Sequence, residues 1–140
     1  LVTRRARRRP GENRANLIEA GLIEFGVLGY RGCSTAAVAR RAGVPQPHVY
    51  ANFANKQDLF LACLQFARES TLQSGTSGAV EAFLYQAVAA VQDPSLPEAL
   101  RSDLSDFQQL LGPEFDHALV RAAHRLLATT PARRKDEPRT

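Results

Sequence analysis

The stretch from Ser34 to Phe60, STAAVARRAGVPQPHVYANFANKQDLF, leaves this chain little choice of fold. Val38, Ala39 and Ala42 fall at the i, i+1, i+4 spacing of one buried helix face, behind Ser34, a residue type that caps helix N-termini. Gly43 stops that helix, because glycine enters the left-handed region without steric cost, and Val44 supplies the apolar contact that turns the chain inward. Pro45 and Pro47 have no backbone N–H to donate, so they fit a turn and the first positions of a new helix. On that helix Val49 and Phe53, four apart, face inward together, while Gln46, His48, Tyr50 and Asn52 lie on other sides. Two short helices across a tight turn, the second starting with polar and aromatic side chains, form the arrangement of a helix-turn-helix DNA reader.

Upstream, Ala15, Ile18, Leu22 and Phe25 form a stripe at helical spacing, broadened by Leu17 and Ile23. This predicts a helix that buries the back of the two reading helices. Pro10 suits its first position and Glu12 its first turn; Gly29 breaks it and Tyr30 begins the connection. Before it, residues 1–9 form an arm with five arginines, Arg4, Arg5, Arg7, Arg8 and Arg9. Such an arm either stays a solvated tail or follows the DNA backbone into a minor groove. Charge agrees with the second reading: residues 1–60 hold ten Lys/Arg against four Asp/Glu, a net of +6, whereas residues 61–140 hold eight against ten, a net of −2. Polyanion binding therefore belongs to the N-terminal part.

Chemistry sorts the reading residues. The Gln46 amide can pair with an adenine edge or bond other bases, and Pro47 offers an apolar surface to a thymine methyl. His48, Tyr50 and Lys56 are candidates for phosphate contacts, joined by Asn52 and by Ser34 and Thr35 at the start of the preceding helix. Asn55 reads as the N-cap of a fourth helix over residues 56–73, with Leu59, Phe60, Cys63, Leu64 and Ala67 on one face.

From about Arg14 to Phe60 the chain closely resembles the N-terminal domain of the TetR family, the tetracycline-repressor-like transcriptional regulators of bacteria. The resemblance rests on Phe25-Gly26, Gly29-Tyr30, Cys33-Ser34-Thr35, Val38-Ala39, Ala42-Gly43-Val44, Tyr50 with Phe53, and Lys56, Leu59 and Phe60, in that order and spacing. It implies base contacts from Gln46 and Pro47 and backbone contacts from His48 and Tyr50. It further implies a homodimer on a palindromic double-stranded DNA operator, released by a small-molecule effector, with the fourth helix joining the two functions. Pro45, Pro47 and His48 stand where family members often carry Ser, Gly and Thr, so the resemblance leaves the operator sequence open.

Beyond Ser74-Gly75-Thr76-Ser77-Gly78, a candidate linker, three amphipathic helices are predicted over residues 80–91, 95–111 and 114–128. Ser95 is expected to cap the second and Pro113 to open the third. The expected fold is all-α: a helix-turn-helix domain over residues 10–55, then a helical regulatory domain over residues 79–128 and a tail at 129–140. Phe83, Phe107, Leu110, Leu111 and Phe115, with Tyr85 nearby, would line an apolar effector pocket or simply fill the core. The chain has no methionine, even at position 1, and family members run longer, so it is expected to be part of a longer protein.

Other classes fare worse. Apolar runs such as Ala87 to Val91 are far too short to span a bilayer, so no membrane partner is expected. Cys33 and Cys63 lack metal spacing, which suits a reduced, cytoplasmic setting and two buried fillers. His117 and His124, with Asp103 and Asp106, are the one conceivable metal-hydrolase set, and they lack a third close ligand. No nucleophile elbow, phosphate loop or HExxH motif is present, so neither an enzyme nor a cofactor is expected. An activator or architectural protein using the same reader without an effector is the nearest alternative.

Overall fold

The computed structural model describes residues 10–129. Among them are seven helices and no strand: α1 (Pro10–Gly32), α2 (Thr35–Ala42), α3 (Pro47–Asn52), α4 (Lys56–Ser74), α5 (Gly78–Ala89), α6 (Ala99–Leu111) and α7 (Pro113–Thr129). The all-α expectation holds. The arginine arm and the tail beyond Thr129 lie outside the described residues.

α1 runs through the middle, packed against α5, α4 and α2, and α5 in turn holds α7. Its buried face is built on Leu17, Ala20, Leu22 and Phe25. Two members of the expected stripe fall outside that face. Ala15 is exposed, in the turns that precede the first buried residue, and Ile23 is 37% exposed. Periodicity alone gives a face; the neighbours that cover it fix its centre and its ends. Gly29 breaks the helical path with φ 79° and ψ 169°, a conformation that favours glycine. The kink turns Tyr30 into the core, 6% exposed.

There Phe60 of α4 meets three rings at once. Its centroid lies 5.0 Å from Phe25, 4.9 Å from Tyr30 and 4.9 Å from Phe83. The contacts with Phe25 and Tyr30 are edge-on, which suits the ring quadrupoles, and that with Phe83 is tilted. This aromatic group joins α1, α4 and α5, and the same apolar core takes in Val38 and Ala42 of α2, Val49 of α3 and Leu100 of α6.

Boundaries downstream shift where local bonding outweighs pattern. Ser77 caps α5, its hydroxyl accepting from Val80 N at 3.2 Å, so α5 starts at Gly78 and only residues 75–77 separate it from α4. Ser95 does not cap α6. Its hydroxyl and backbone N–H both donate to Asp93 Oδ1, at 2.7 and 2.9 Å, closing a turn, and α6 begins only at Ala99. Pro113 opens α7 as expected.

Asp93 also receives Arg31 from the end of α1, at 2.7 and 3.0 Å. The hydroxyl and N–H of Ser95, with the Arg31 guanidinium, hold its carboxyl down to about 2. An unfolded aspartate titrates near ~3.9, so this group adds stability above about pH 4 and loses it as pH falls toward 2. Asp93→Asn should flatten the acid side of a plot of thermal midpoint against pH in that window and leave the neutral region unchanged in slope.

Candidate nucleic-acid interface

Ser34 caps α2 as its residue type requires: its hydroxyl accepts from Ala37 N at 3.0 Å. At the other end Gly43 sits at φ 72°, ψ 30°. Gly43 N donates to Arg40 O at 3.2 Å and Val44 N to Ala39 O at 3.0 Å, the paired bonds of a Schellman stop. Asn16 of α1 donates its Nδ2 to Ala42 O at 2.8 Å, tying this helix end to α1. Val38, Ala39 and Ala42 are buried, so α2 is fixed along one whole face.

α3 is anchored from beneath by Val49, fully buried, and Phe53, 5% exposed, with the Arg14 guanidinium 4.7 Å from the centre of the Phe53 ring. Gln46, Pro47, His48 and Tyr50 are all exposed on the other sides. Gln46 makes no cap bond. Its Nε2 donates to Thr35 Oγ1 at 3.1 Å, and the same hydroxyl lies 2.9 Å from the Tyr50 hydroxyl. Three of the sequence-predicted contacts therefore form one connected group spanning α2 and α3. Asn52 folds back, its Nδ2 bonding His48 O at 2.8 Å.

Thr35 itself is only 8% exposed. Sequence placed it among the outward backbone contacts; the structure places its hydroxyl between Gln46 and Tyr50. No local signal marks such a junction, because its partners lie 11 and 15 residues away.

Lys56 starts α4, which Asn55 caps through Asp58 N at 2.8 Å. The Lys56 ammonium sits 4.4 Å from the centre of the Tyr30 ring, and burial together with nearby Arg31 lowers its pKa. Close by, burial pushes the Cys33 thiol up to about 11, and Cys63 is raised further by its deeper burial. Both are fillers, not reactive thiols. Arg40 and Arg41 are exposed, and Arg41 pairs with Glu24 of α1.

The candidate pocket residues do not share one setting. Phe83 and Phe107 are fully buried, Phe115 is 5% exposed, Leu111 is half-buried and Leu110 is 41% exposed. Phe83 belongs to the aromatic cluster. Two open clefts, of about 480 and 350 Å³, are lined by other residues: one by Tyr30, Arg31, Gln86 and Asp93, the other by Arg14, Phe53 and Asp103. His117 and His124 are exposed, and no three potential metal ligands come together among the described residues. No helix among those residues is long and apolar enough to cross a membrane.

Comparison with known proteins adds three findings. Residues 17–63 match the family model of bacterial regulatory proteins, tetR family. A crystal structure from Mesorhizobium loti, described as that of a TetR-family transcriptional regulator, is similar at 24% identity and a TM-score of 0.43. The match covers 87% of this chain and 66% of the other, so the chain spans about two thirds of that protein's length. No curated protein matches.

Proposed function

We propose, from the premise that residues 17–63 place this chain among the tetR-family bacterial regulatory proteins, that it represses transcription as a homodimer on a palindromic operator. In this reading it acts in the cytoplasm as a regulator, not an enzyme, and a small-molecule effector releases it. The observation that carries the DNA-reading part is the group formed by Gln46, Thr35 and Tyr50. A base-reading amide and a phosphate-seeking hydroxyl are held by bonds of 3.1 and 2.9 Å on a helix whose opposite face is buried. Such a group is of use to a duplex, which offers base edges and phosphates at fixed spacing.

One helix of six residues reads too few bases to be specific. Two-fold symmetry doubles the contacts and sets the spacing of the half-sites. Release by an effector needs an element common to both functions, and α4 supports that role. It starts at the reading unit with Lys56 and contributes Phe60 to the shared core.

Selection of duplexes from a random pool at near-physiological salt tests the reading. The expected result is an enriched inverted repeat that Tyr50→Ala abolishes; enrichment of nothing, or of the same repeat by both proteins, would overturn it. On the selected operator, Gln46→Ala should cost about 1–3 kcal/mol of discrimination at one position per half-site. Lys56→Ala should weaken all sequences alike and reduce the salt slope by about 1. Titrations across operator variants and salt concentrations distinguish the two.

A further inference from the structure

We propose that Thr35 is a positioning residue that sets which way the Gln46 amide faces a base, and that it does so through the Tyr50 hydroxyl. The inference rests on the DNA-reading function above and concerns how that reading is made specific.

The protons on the two hydroxyls decide the orientation. Thr35 Oγ1 carries one proton and has room to accept two bonds, and the same holds for Tyr50. At 8% exposure, Thr35 presents little of itself to a ligand, while Tyr50 is 54% exposed. DNA phosphate oxygens only accept. When Tyr50 binds one, its proton goes to the phosphate, and its oxygen takes the bond from Thr35. The single Thr35 proton is then spent, so toward Gln46 the Thr35 oxygen can only accept. Gln46 must turn its NH2 group to Thr35, as it does here with Nε2 at 3.1 Å. A turned-over amide would set Oε1 against an oxygen with no proton to give.

The phosphate contact therefore fixes the amide. Oε1 faces the groove with one remaining N–H, a pattern matched by a base that bears an exocyclic amine: adenine, whose N7 takes the N–H, or cytosine. The opposite orientation would lead with two N–H groups and match guanine or thymine. Without Thr35 both orientations are open and discrimination falls.

Thr35→Val removes the hydroxyl and keeps the shape, and α2 keeps its cap because Ser34 supplies it. Thr35→Ser keeps the hydroxyl. The position to monitor is the one at which Gln46→Ala flattens preference. There the unaltered chain and Thr35→Ser should discriminate among the four bases by roughly five- to a hundredfold, with the contacted base an adenine or cytosine. Thr35→Val should fall to within about twofold, and Tyr50→Phe should show the same loss, with no further loss in the double variant.

If Thr35→Val weakens binding equally for all four bases, Thr35 is an ordinary backbone contact and the inference is overturned. Should Thr35→Val melt early in circular dichroism, Tyr50→Phe at its exposed position decides by the same ratio: loss supports the inference, an unchanged ratio overturns it. If the unaltered chain prefers no sequence, the DNA-reading function fails and takes this inference with it. A preference at that position that survives in both variants sinks the inference alone.

Discussion

Phe60→Ala is expected to cost about 3–5 kcal/mol of folding stability, a large part of the roughly 5–15 kcal/mol that a domain has. Phe60 is fully buried, and its ring touches Phe25, Tyr30 and Phe83 at centroid distances of 5.0, 4.9 and 4.9 Å. Deleting the ring removes its transfer free energy and leaves a cavity bounded by three helices that cannot all collapse into it. Phe60→Leu keeps most of the volume and should lose well under half as much. Urea unfolding measures both. A loss below about 1 kcal/mol for the alanine variant, at unchanged m-value, would mean that these helices do not share one core.

The effect should reach DNA binding. Tyr30, held against Phe60, lies just past the Gly29 kink and four residues before Ser34, the cap of α2. Lys56 rests on the same Tyr30 ring. Loosening the cluster thus frees both ends of the reading unit, so operator affinity should fall at temperatures where the variant is still folded.

The second large effect concerns Glu81 of α5. Its side chain is 3% exposed, and its carboxylate receives Arg121 at 2.9 and 2.6 Å, Arg125 at 2.7 Å and the Thr76 hydroxyl at 2.9 Å. These bonds join α5 to α7 and to the short α4–α5 connection. Glu81→Ala should cost about 2 kcal/mol, the range of charge-assisted hydrogen bonds. The full penalty of a broken buried ion pair does not apply, because the arginine side chains are 41% and 48% exposed and can return to water. Glu81→Gln, which retains one acceptor, should lose less.

Acid should mimic the substitution. Burial alone would raise the Glu81 pKa, but the bonds from Arg121, Thr76 and Arg125 outweigh it and hold the carboxyl below its ordinary value. A carboxylate depressed in the folded state contributes stability above its unfolded pKa of about 4.3 and loses it as pH falls through the folded value. Stability curves of the unaltered chain and Glu81→Gln should therefore converge below about pH 4. Limited proteolysis should show α7 as the first segment released in the alanine variant. If α7 stays protected and the curves run parallel, Glu81 is not what docks it.

How much of this was legible in the sequence follows from the range of each interaction. The reading unit was legible almost residue by residue, since the Ser34 cap, the Gly43 stop, the Pro47 start and the Val49–Phe53 pair each act within five residues. Helix starts set locally were also found at Asn55, through its cap bond, and at Pro113, through proline geometry. Ser95 misled because its competing partner, Asp93, is itself local: two residues apart, they make a turn that a capping rule counts as a helix start.

By itself the sequence determined that the chain is helical and where its two short helices and the turn between them lie, because periodicity, caps and glycine or proline geometry are near-neighbour effects. Only the tertiary structure decided the centre of α1's buried face, the meeting of Phe25, Tyr30, Phe60 and Phe83, the Glu81 and Asp93 ion pairs, and the place of Thr35 between Gln46 and Tyr50. These depend on which surfaces meet, and contacts between residues 11 to 62 positions apart leave no mark on local spacing.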